Sequence, residues 1–220
     1  MYGHERWKMV EGATVLVALG VLTGCVPQVT HGPRVERGTT GVMNLSAMAV
    51  PGEGLSPSEG EAGAVLYGGA RHGWVAEDGT MAASLGVQAA VMAVPLHSGL
   101  LSNFASSTQA DLYVQLERSA QQGREYGVGV LGSKDLVMPY TQFGATRGNG
   151  NAWYTTQGIA ITTRGSGSTV WMPSVSWRDA ADNNGRAVTW TAGSAIDLTG
   201  RAEQPLLVLS VTTEFGLDRR

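Results

Sequence analysis

Apolar and polar residues alternate along most of the chain after residue 39. In 204–217, one face of a predicted strand carries Leu207, Leu209, Val211, Phe215 and Leu217, and the other carries Ser210, Thr212, Glu214 and Gly216. The same period of two recurs in 110–119, 168–179 and 186–198. One apolar face opposite one small or polar face is typical of antiparallel strands.

Ten segments have this strand character: 39–50, 63–76, 80–94, 110–119, 124–132, 136–147, 152–164, 168–179, 186–198 and 204–217. Turn sequences such as Glu77-Asp78-Gly79 and Gly148-Asn149-Gly150 separate them, and hairpins need these residue types for positive φ. Residues 51–62 predict a loop, and 97–109 predict a short helix or a long loop. The pattern predicts an all-β fold, an antiparallel up-and-down β-barrel of about 8–12 strands.

Two architectures fit the alternation. A soluble β-sandwich or barrel on a lipid tether would turn its apolar face inward, whereas a transmembrane barrel would turn that face to lipid. Segments of about ten or more residues favour the transmembrane barrel, because a tilted strand needs roughly nine to eleven residues to cross a bilayer. Aromatic residues near segment ends also suit interfacial girdles: Trp74, Tyr126, Tyr140, Trp153, Tyr154 and Trp177.

Composition narrows the possible partners. The net charge of −3 provides no basic surface for nucleic acid, so no nucleic-acid partner is expected. Charged residues make up only 15% of the chain, below the usual quarter of a globular domain. The 31 glycines accompany aromatic and β-branched residues, a combination that separates this chain from disordered Gly-rich proteins.

An apolar run at 13–24 ends in Leu22-Thr23-Gly24-Cys25, and Arg6 and Lys8 precede it. The run has the length of a secretory signal and is short for a membrane-spanning helix. The four residues resemble the lipobox of bacterial lipoproteins. That resemblance implies cleavage before Cys25, acylation of Cys25 with fatty acids such as palmitate, and membrane lipid as a partner. The expected organisation is a signal peptide at 1–24, a flexible tether at 25–38 and a β-barrel domain at 39–217.

Three glycine-aromatic segments resemble strands of small outer-membrane β-barrel proteins of Gram-negative bacteria: Leu66-Tyr67-Gly68-Gly69-Ala70-Arg71-His72-Gly73, Glu125-Tyr126-Gly127-Val128-Gly129-Val130 and Tyr140-Thr141-Gln142-Phe143-Gly144. Phe215 in the last strand is similar to their barrel-assembly signal, although five residues follow it here. The resemblance spans roughly 39–217 and implies an outer-membrane location. In so narrow a barrel, side chains fill most of the lumen.

Charged residues on the polar strand faces are candidates for a lumenal network. They are Arg71, Glu117, Arg118, Arg178 and Asp197, and we expect them to pair because an isolated buried charge is costly.

Candidate chemistry is sparse. His31 falls in the predicted tether and is expected to be solvated, and His72 falls in a strand beside Arg71. A lipid-modifying site would need a base next to a nucleophile, and only His97 with Ser98 and Ser102 could supply one. No His, Asp or Glu cluster has metal-ligand spacing, and a single cysteine forms no intrachain disulfide. Neither a catalytic residue nor a cofactor is predicted.

Three functional hypotheses remain open. The first is a non-enzymatic, lipid-anchored outer-membrane β-barrel with a structural or partner-binding role in the envelope. The second is a soluble periplasmic or surface β domain that binds a ligand or joins an envelope complex. The third is a barrel enzyme that acts on lipid.

Overall fold

The chain folds into a closed barrel of ten antiparallel strands, in which every strand pairs with its sequence neighbours and the first pairs with the last. The computed structural model describes residues 28–49, 62–94, 108–117, 123–134, 136–162, 167–182, 185–200 and 205–217. The strands are β1 (Gly38–Ala49), β2 (Ala62–Val75), β3 (Ala82–Val94), β4 (Thr108–Glu117), β5 (Gly123–Ser133), β6 (Leu136–Thr146), β7 (Ala152–Thr162), β8 (Thr169–Arg178), β9 (Ala187–Asp197) and β10 (Leu206–Gly216).

The predicted all-β, up-and-down barrel is confirmed. Each strand begins and ends within two residues of its predicted segment. The predicted loop at 51–62 lies outside the described residues except for Ala62, which begins β2. Of 97–109, only Thr108 and Gln109 are described, and they begin β4. None of the described ranges forms a helix with the length and apolar character needed to cross a membrane.

The turns at one end of the barrel use the residue types that the sequence predicts. We call the end where β1 begins and β10 ends the proximal end, and the opposite end the distal end. Proximal turns use the predicted residues: Gly150 has a φ of 85°, and its amide donates to the Arg147 carbonyl at 2.8 Å. In the β2–β3 turn, hydrogen bonds from the Thr80 amide and hydroxyl lower the pKa of the Asp78 carboxyl. Both turns are therefore fixed by local hydrogen bonds.

The barrel is polar inside and apolar outside. Buried side chains along the inner wall include Asn44, Ser46, Gln88, Gln109, Gln142, Thr156, Ser210 and Thr212. Large apolar side chains project outward and are about half exposed: Met43, Leu45, Val87, Leu112, Ile159, Val175, Leu207 and Leu209. Period-two alternation produces both faces, because successive side chains of a strand point to opposite sides of the sheet. The apolar faces thus do not form an internal core of the kind a soluble sandwich would need.

An apolar cluster closes the distal part of the lumen. Its members come from the distal segments of several strands: Met48, Val65, Leu131, Leu136, Met138, Ala160, Val170, Ala195, Leu206 and Val208. Val29 and Met172 pack against it. The lumen therefore changes from apolar at the distal end to polar and charged at the proximal end.

Residues 28–37 correct one prediction. The sequence predicts a flexible, solvated tether over 25–38, but from residue 28 onward the chain lies in the lumen and runs toward the proximal end before it enters β1. His31 is only 1% exposed, and Val35 is 2% exposed. The lumenal wall supplies hydrogen-bond partners that composition alone does not reveal. We call residues 28–37 the plug; residues 25–27 lie outside the described residues.

Candidate functional site: the plugged lumen and its proximal cavity

His31 is the centre of the plug. Its Nε2 lies 2.8 Å from Oδ2 of Asp111 on β4 and 2.9 Å from the Tyr140 hydroxyl on β6. The Tyr140 hydroxyl donates to the other Asp111 oxygen at 2.6 Å, and Nδ1 of His31 lies 2.7 Å from the Gly32 carbonyl. Both ring nitrogens thus face oxygen atoms of the plug or the wall. This triad fastens the plug to two strands of the wall.

Two tyrosines frame the His31 ring. Tyr113 and Tyr140 are parallel, with ring centroids 6.0 Å apart, and the His31 ring meets Tyr113 edge-on at 4.7 Å. Room for them comes from β5, because a Cβ on Gly127 would overlap the Tyr113 ring and a Cβ on Gly129 would overlap Tyr140. The glycines of the predicted Gly-aromatic strand therefore admit large lumenal rings from the flanking strands.

The wall also binds the backbone of the plug. Gln88 donates to the Gln28 carbonyl at 3.0 Å, Gln142 donates to the His31 carbonyl at 2.7 Å, and Tyr113 donates to the Pro33 carbonyl at 3.1 Å. Gln115 accepts a hydrogen bond from the Val35 amide at 3.0 Å. A strand pairs its backbone with another strand, whereas the plug pairs its backbone with side chains. The long amide side chains of the lumen are well suited to that role.

A salt bridge ties the plug to the proximal wall. Nη1 of Arg34 lies 3.2 Å from Oε1 of Glu125 on β5, and Thr146 donates to the other Glu125 oxygen at 3.1 Å. Nε of Arg34 also lies 3.0 Å from Glu36 within the plug. At the mouth, Arg37 donates to the Val75 carbonyl at 2.9 Å.

Glu214 on β10 joins two of the predicted network residues. Its Oε1 lies 3.3 Å from Nη2 of Arg71, and its Oε2 lies 2.9 Å from Nη2 of Arg178. Glu214 is opposite Val42 of β1 and Ala187 of β9, while the arginines belong to β2 and β8. Each arginine therefore reaches across one intervening strand, and the three side chains link five neighbouring strands.

Of the other predicted charges, only Asp197 has a described side chain, and it lies away from this cluster. Asp197 ends β9 at the distal end, where its Oδ1 accepts from the Thr199 amide at 2.8 Å and from the Thr199 hydroxyl. Glu117 ends β4, and its side chain is outside the description, as is all of Arg118. Glu214 could have been chosen from the sequence, because the alternation of the last strand already assigns it to the polar face. The cross-strand register that brings the two arginines to Glu214 cannot be predicted from the sequence.

The remaining residues singled out in the sequence lie outside the lumenal charge cluster or outside the described residues. Tyr140 and Tyr154 are lumenal and at most 5% exposed, so they correct the prediction that they belong to an outer aromatic girdle. His72 is exposed, and its ring lies 4.7 Å from Trp74. Cys25, His97, Ser98 and Ser102 lie outside the described residues. Within the described ranges, no group of three or more His, Cys, Asp or Glu side chains could hold a metal ion.

Three tryptophans form a row on the outer surface near the proximal end. Trp153 on β7 pairs with Trp177 on β8, which pairs with Trp190 on β9. The Trp153 and Trp177 rings are 4.7 Å apart, and the Arg147 guanidinium lies 6.0 Å from the Trp177 ring centroid. Trp190 belongs to this row, although it is not among the girdle residues predicted from the sequence. A band of this kind at one height of the wall is typical of a membrane-water interface.

A cavity of about 860 Å³ lies between the plug and the proximal wall. Plug residues from Gly32 to Arg37 form one side, and the other side includes Arg71, Ser84, Glu125, Arg178 and Glu214. The cavity thus contains both the Glu214 cluster and the Arg34–Glu125 salt bridge.

Comparisons with known proteins find a structural likeness. No family model matches the chain, and no curated protein matches it. Among solved structures, the chain is similar to an outer membrane channel from Pseudomonas putida F1, with a TM-score of 0.39 and 7% sequence identity. The match covers 87% of this chain and 99% of that one. A likeness of this degree bears on neither the function nor the location of the present protein.

Proposed function

We propose that this protein is a non-enzymatic β-barrel of the bacterial outer membrane, also held by an acylated Cys25, with a structural or partner-binding role in the envelope. The plug keeps its lumen closed to free diffusion of solutes. An envelope protein is the expected partner, and it would contact the loops or the barrel rim.

The apolar exterior is the observation that supports this proposal. Leu209 is 63% exposed and Val91 is also 63% exposed, while Val208 and Ser210, on either side of Leu209 in the chain, are buried. Monomeric water-soluble proteins rarely expose apolar patches beyond a few hundred Å². A band of apolar side chains around a closed barrel is the outer surface that lipid requires. The tryptophan row adds an interfacial feature to that band.

Closure of the lumen has separate support. The plug occupies the polar part of the lumen through His31 and Arg34, and the apolar cluster that Val29 contacts fills the distal part. We therefore expect no stable conductance from the intact protein in planar bilayers. Frequent long-lived channel openings would contradict a closed lumen.

Heat-modifiable mobility tests the barrel in the membrane. Protein from purified membranes should migrate differently on a mild SDS gel before and after boiling, and it should resist extraction at alkaline pH. Absence of a shift, together with full solubility without detergent of a chain that begins at Val26, would contradict the proposal and favour a soluble domain or a protein complex that covers the apolar exterior.

Metabolic labelling with a radioactive fatty acid tests the anchor independently. The wild-type protein should incorporate label, and C25S should incorporate none, because the chain has one cysteine. C25S should still resist alkaline extraction if it reaches the membrane, since its barrel alone buries enough apolar surface. Unlabelled wild-type protein would remove the lipid anchor from the proposal and leave the barrel in place.

A further inference from the structure

We propose that the proximal cavity is a binding site for a small oxyanion, a phosphate or carboxylate group, with Arg71 and Ser84 as its principal ligands. This inference goes beyond the proposed function, because the cavity is inside the barrel whatever surrounds the exterior.

The first observation is a pair of buried polar groups without partners in the same cavity. Nη1 of Arg71 and Oγ of Ser84 are both buried and have no hydrogen-bond partner among the described residues. Both residues line the cavity, and Ser84 is only 1% exposed. A buried donor without a partner costs roughly 1–3 kcal/mol, and more when it is charged. Such groups in a large polar cavity indicate a missing ligand or ordered water.

The acid beside Arg71 does not accept a hydrogen bond from that donor. Both oxygens of Glu214 already accept hydrogen bonds, Oε1 from Arg71 through Nη2 and Oε2 from Arg178 through Nε and Nη2. On the inner wall, Asp111 is the next acid toward the distal end, and its oxygens are engaged by His31 and Tyr140. Nη1 of Arg71 is thus left without an acceptor among the described residues.

The charge and the donors of the cavity select the class of ligand. Its described lining contains four arginines and three glutamates, so positive charge is in excess. The Arg71–Glu214–Arg178 cluster itself has two cations for one anion, and Arg71 is 12% exposed while Glu214 is 8% exposed. A guanidinium only donates hydrogen bonds, so its missing partner must accept them. An oxyanion satisfies both requirements, because Arg binds carboxylate and phosphate through charge-assisted hydrogen bonds.

The strand register brings Arg71 and Ser84 to one side of the cavity. Ser84 on β3 is opposite Gly73 on β2, two residues from Arg71, and all three positions face the lumen. Side chains that are diagonal neighbours on one face are about 7–8 Å apart at Cα, a separation that a phosphate or carboxylate group can bridge. Gly86 is opposite Arg71 and Gly73 is opposite Ser84, and the Glu36 carbonyl of the plug packs against Gly73.

Binding of inorganic phosphate and of succinate to the full-length protein in detergent micelles tests the proposal, by calorimetry at constant ionic strength set with sodium chloride. We expect saturable binding of at least one probe at one site per chain. Preference for phosphate would identify a phosphate group as the natural ligand, and preference for succinate would identify a carboxylate. R71Q should weaken binding about tenfold or more, because it removes a charged donor.

Two further variants separate binding from folding. S84A removes an unpartnered hydroxyl, so it should leave the thermal stability of the ligand-free barrel unchanged or slightly raised while it weakens binding severalfold. R124Q makes the same change of charge as R71Q at an exposed residue that does not line the cavity, and it should bind like the wild type. No saturable binding of either probe to the wild type would overturn the proposal. Equal binding by wild type, R71Q and S84A would overturn it as well.

Discussion

At the residue scale, glycines on one strand leave room in the lumen for large rings from the neighbouring strands. Gly127 and Gly129 lie beneath the rings of Tyr113 and Tyr140, and the ring of His31 occupies the space between those tyrosines. The glycine-aromatic composition of the strands is visible in the sequence, but the partner of each glycine is on another strand. Pairing therefore decides that these tyrosines face the lumen and not the outer girdle.

Loss of His31 should destabilise the barrel. H31A leaves Oδ2 of the buried Asp111 without its contact to His31, and we expect the free energy of unfolding in detergent to fall by about 2–4 kcal/mol. Urea titration followed by the heat-modifiable gel shift measures this change.

H72A is the matched control for H31A. His72 is exposed on the outside of the barrel, so its removal should change the free energy of unfolding by less than about 0.5 kcal/mol. Equal stability of H31A and H72A would contradict a fixed plug.

At the element scale, strands and plug differ in how far the sequence predicts them. All ten strands follow from period-two alternation and turn residues, because those patterns are local. The plug has no period, and its prolines and charged residues, such as Pro33 and Arg34, are equally common in tethers. A plug differs from a tether only in its lumenal partners, which here are Glu125 for Arg34 and Asp111 for His31. These partners are distant from the plug in the sequence.

One aromatic ring covers part of the seam between β1 and β10. Phe215 is opposite Gly41, and a Cβ on Gly41 would overlap that ring, so Phe215 covers bare backbone on the outer face. Aromatic cover of a cross-strand glycine stabilises a sheet. F215A should lower the free energy of unfolding by about 1 kcal/mol more than F143A, an equivalent change on an outward residue away from the seam. Equal losses in urea titration of the two variants would show that the seam has no special dependence on this ring.

At the scale of the whole molecule, the barrel and its N-terminal segment form one hydrogen-bonded unit. A narrow barrel filled by polar side chains is expected from the sequence, but part of that filling is a separate strip of backbone. Gln88, Gln115 and Gln142 donate to or accept from that backbone. Without the plug, these amides would face an open lumen.

A chain that lacks residues 28–37 should therefore unfold at a lower temperature than the wild type. A synthetic peptide of residues 28–37 should restore part of the loss when it is added before refolding, because it supplies the missing donors and acceptors. A scrambled peptide of the same composition is the control. Equal rescue by both peptides would contradict a sequence-specific fit in the lumen.

The position of the plug also constrains the order of events during assembly. Residues 28–37 precede β1, and the first and last strands, β1 and β10, pair with each other to close the barrel. Once this seam is shut, the segment is enclosed by a continuous ring of hydrogen-bonded strands and can be admitted only lengthwise. While the seam is open, it can enter sideways. The simplest precursor of the finished barrel is thus an open sheet that already binds residues 28–37 on its inner face. Any assembly factor that closes the seam would act on a curved sheet with this segment bound.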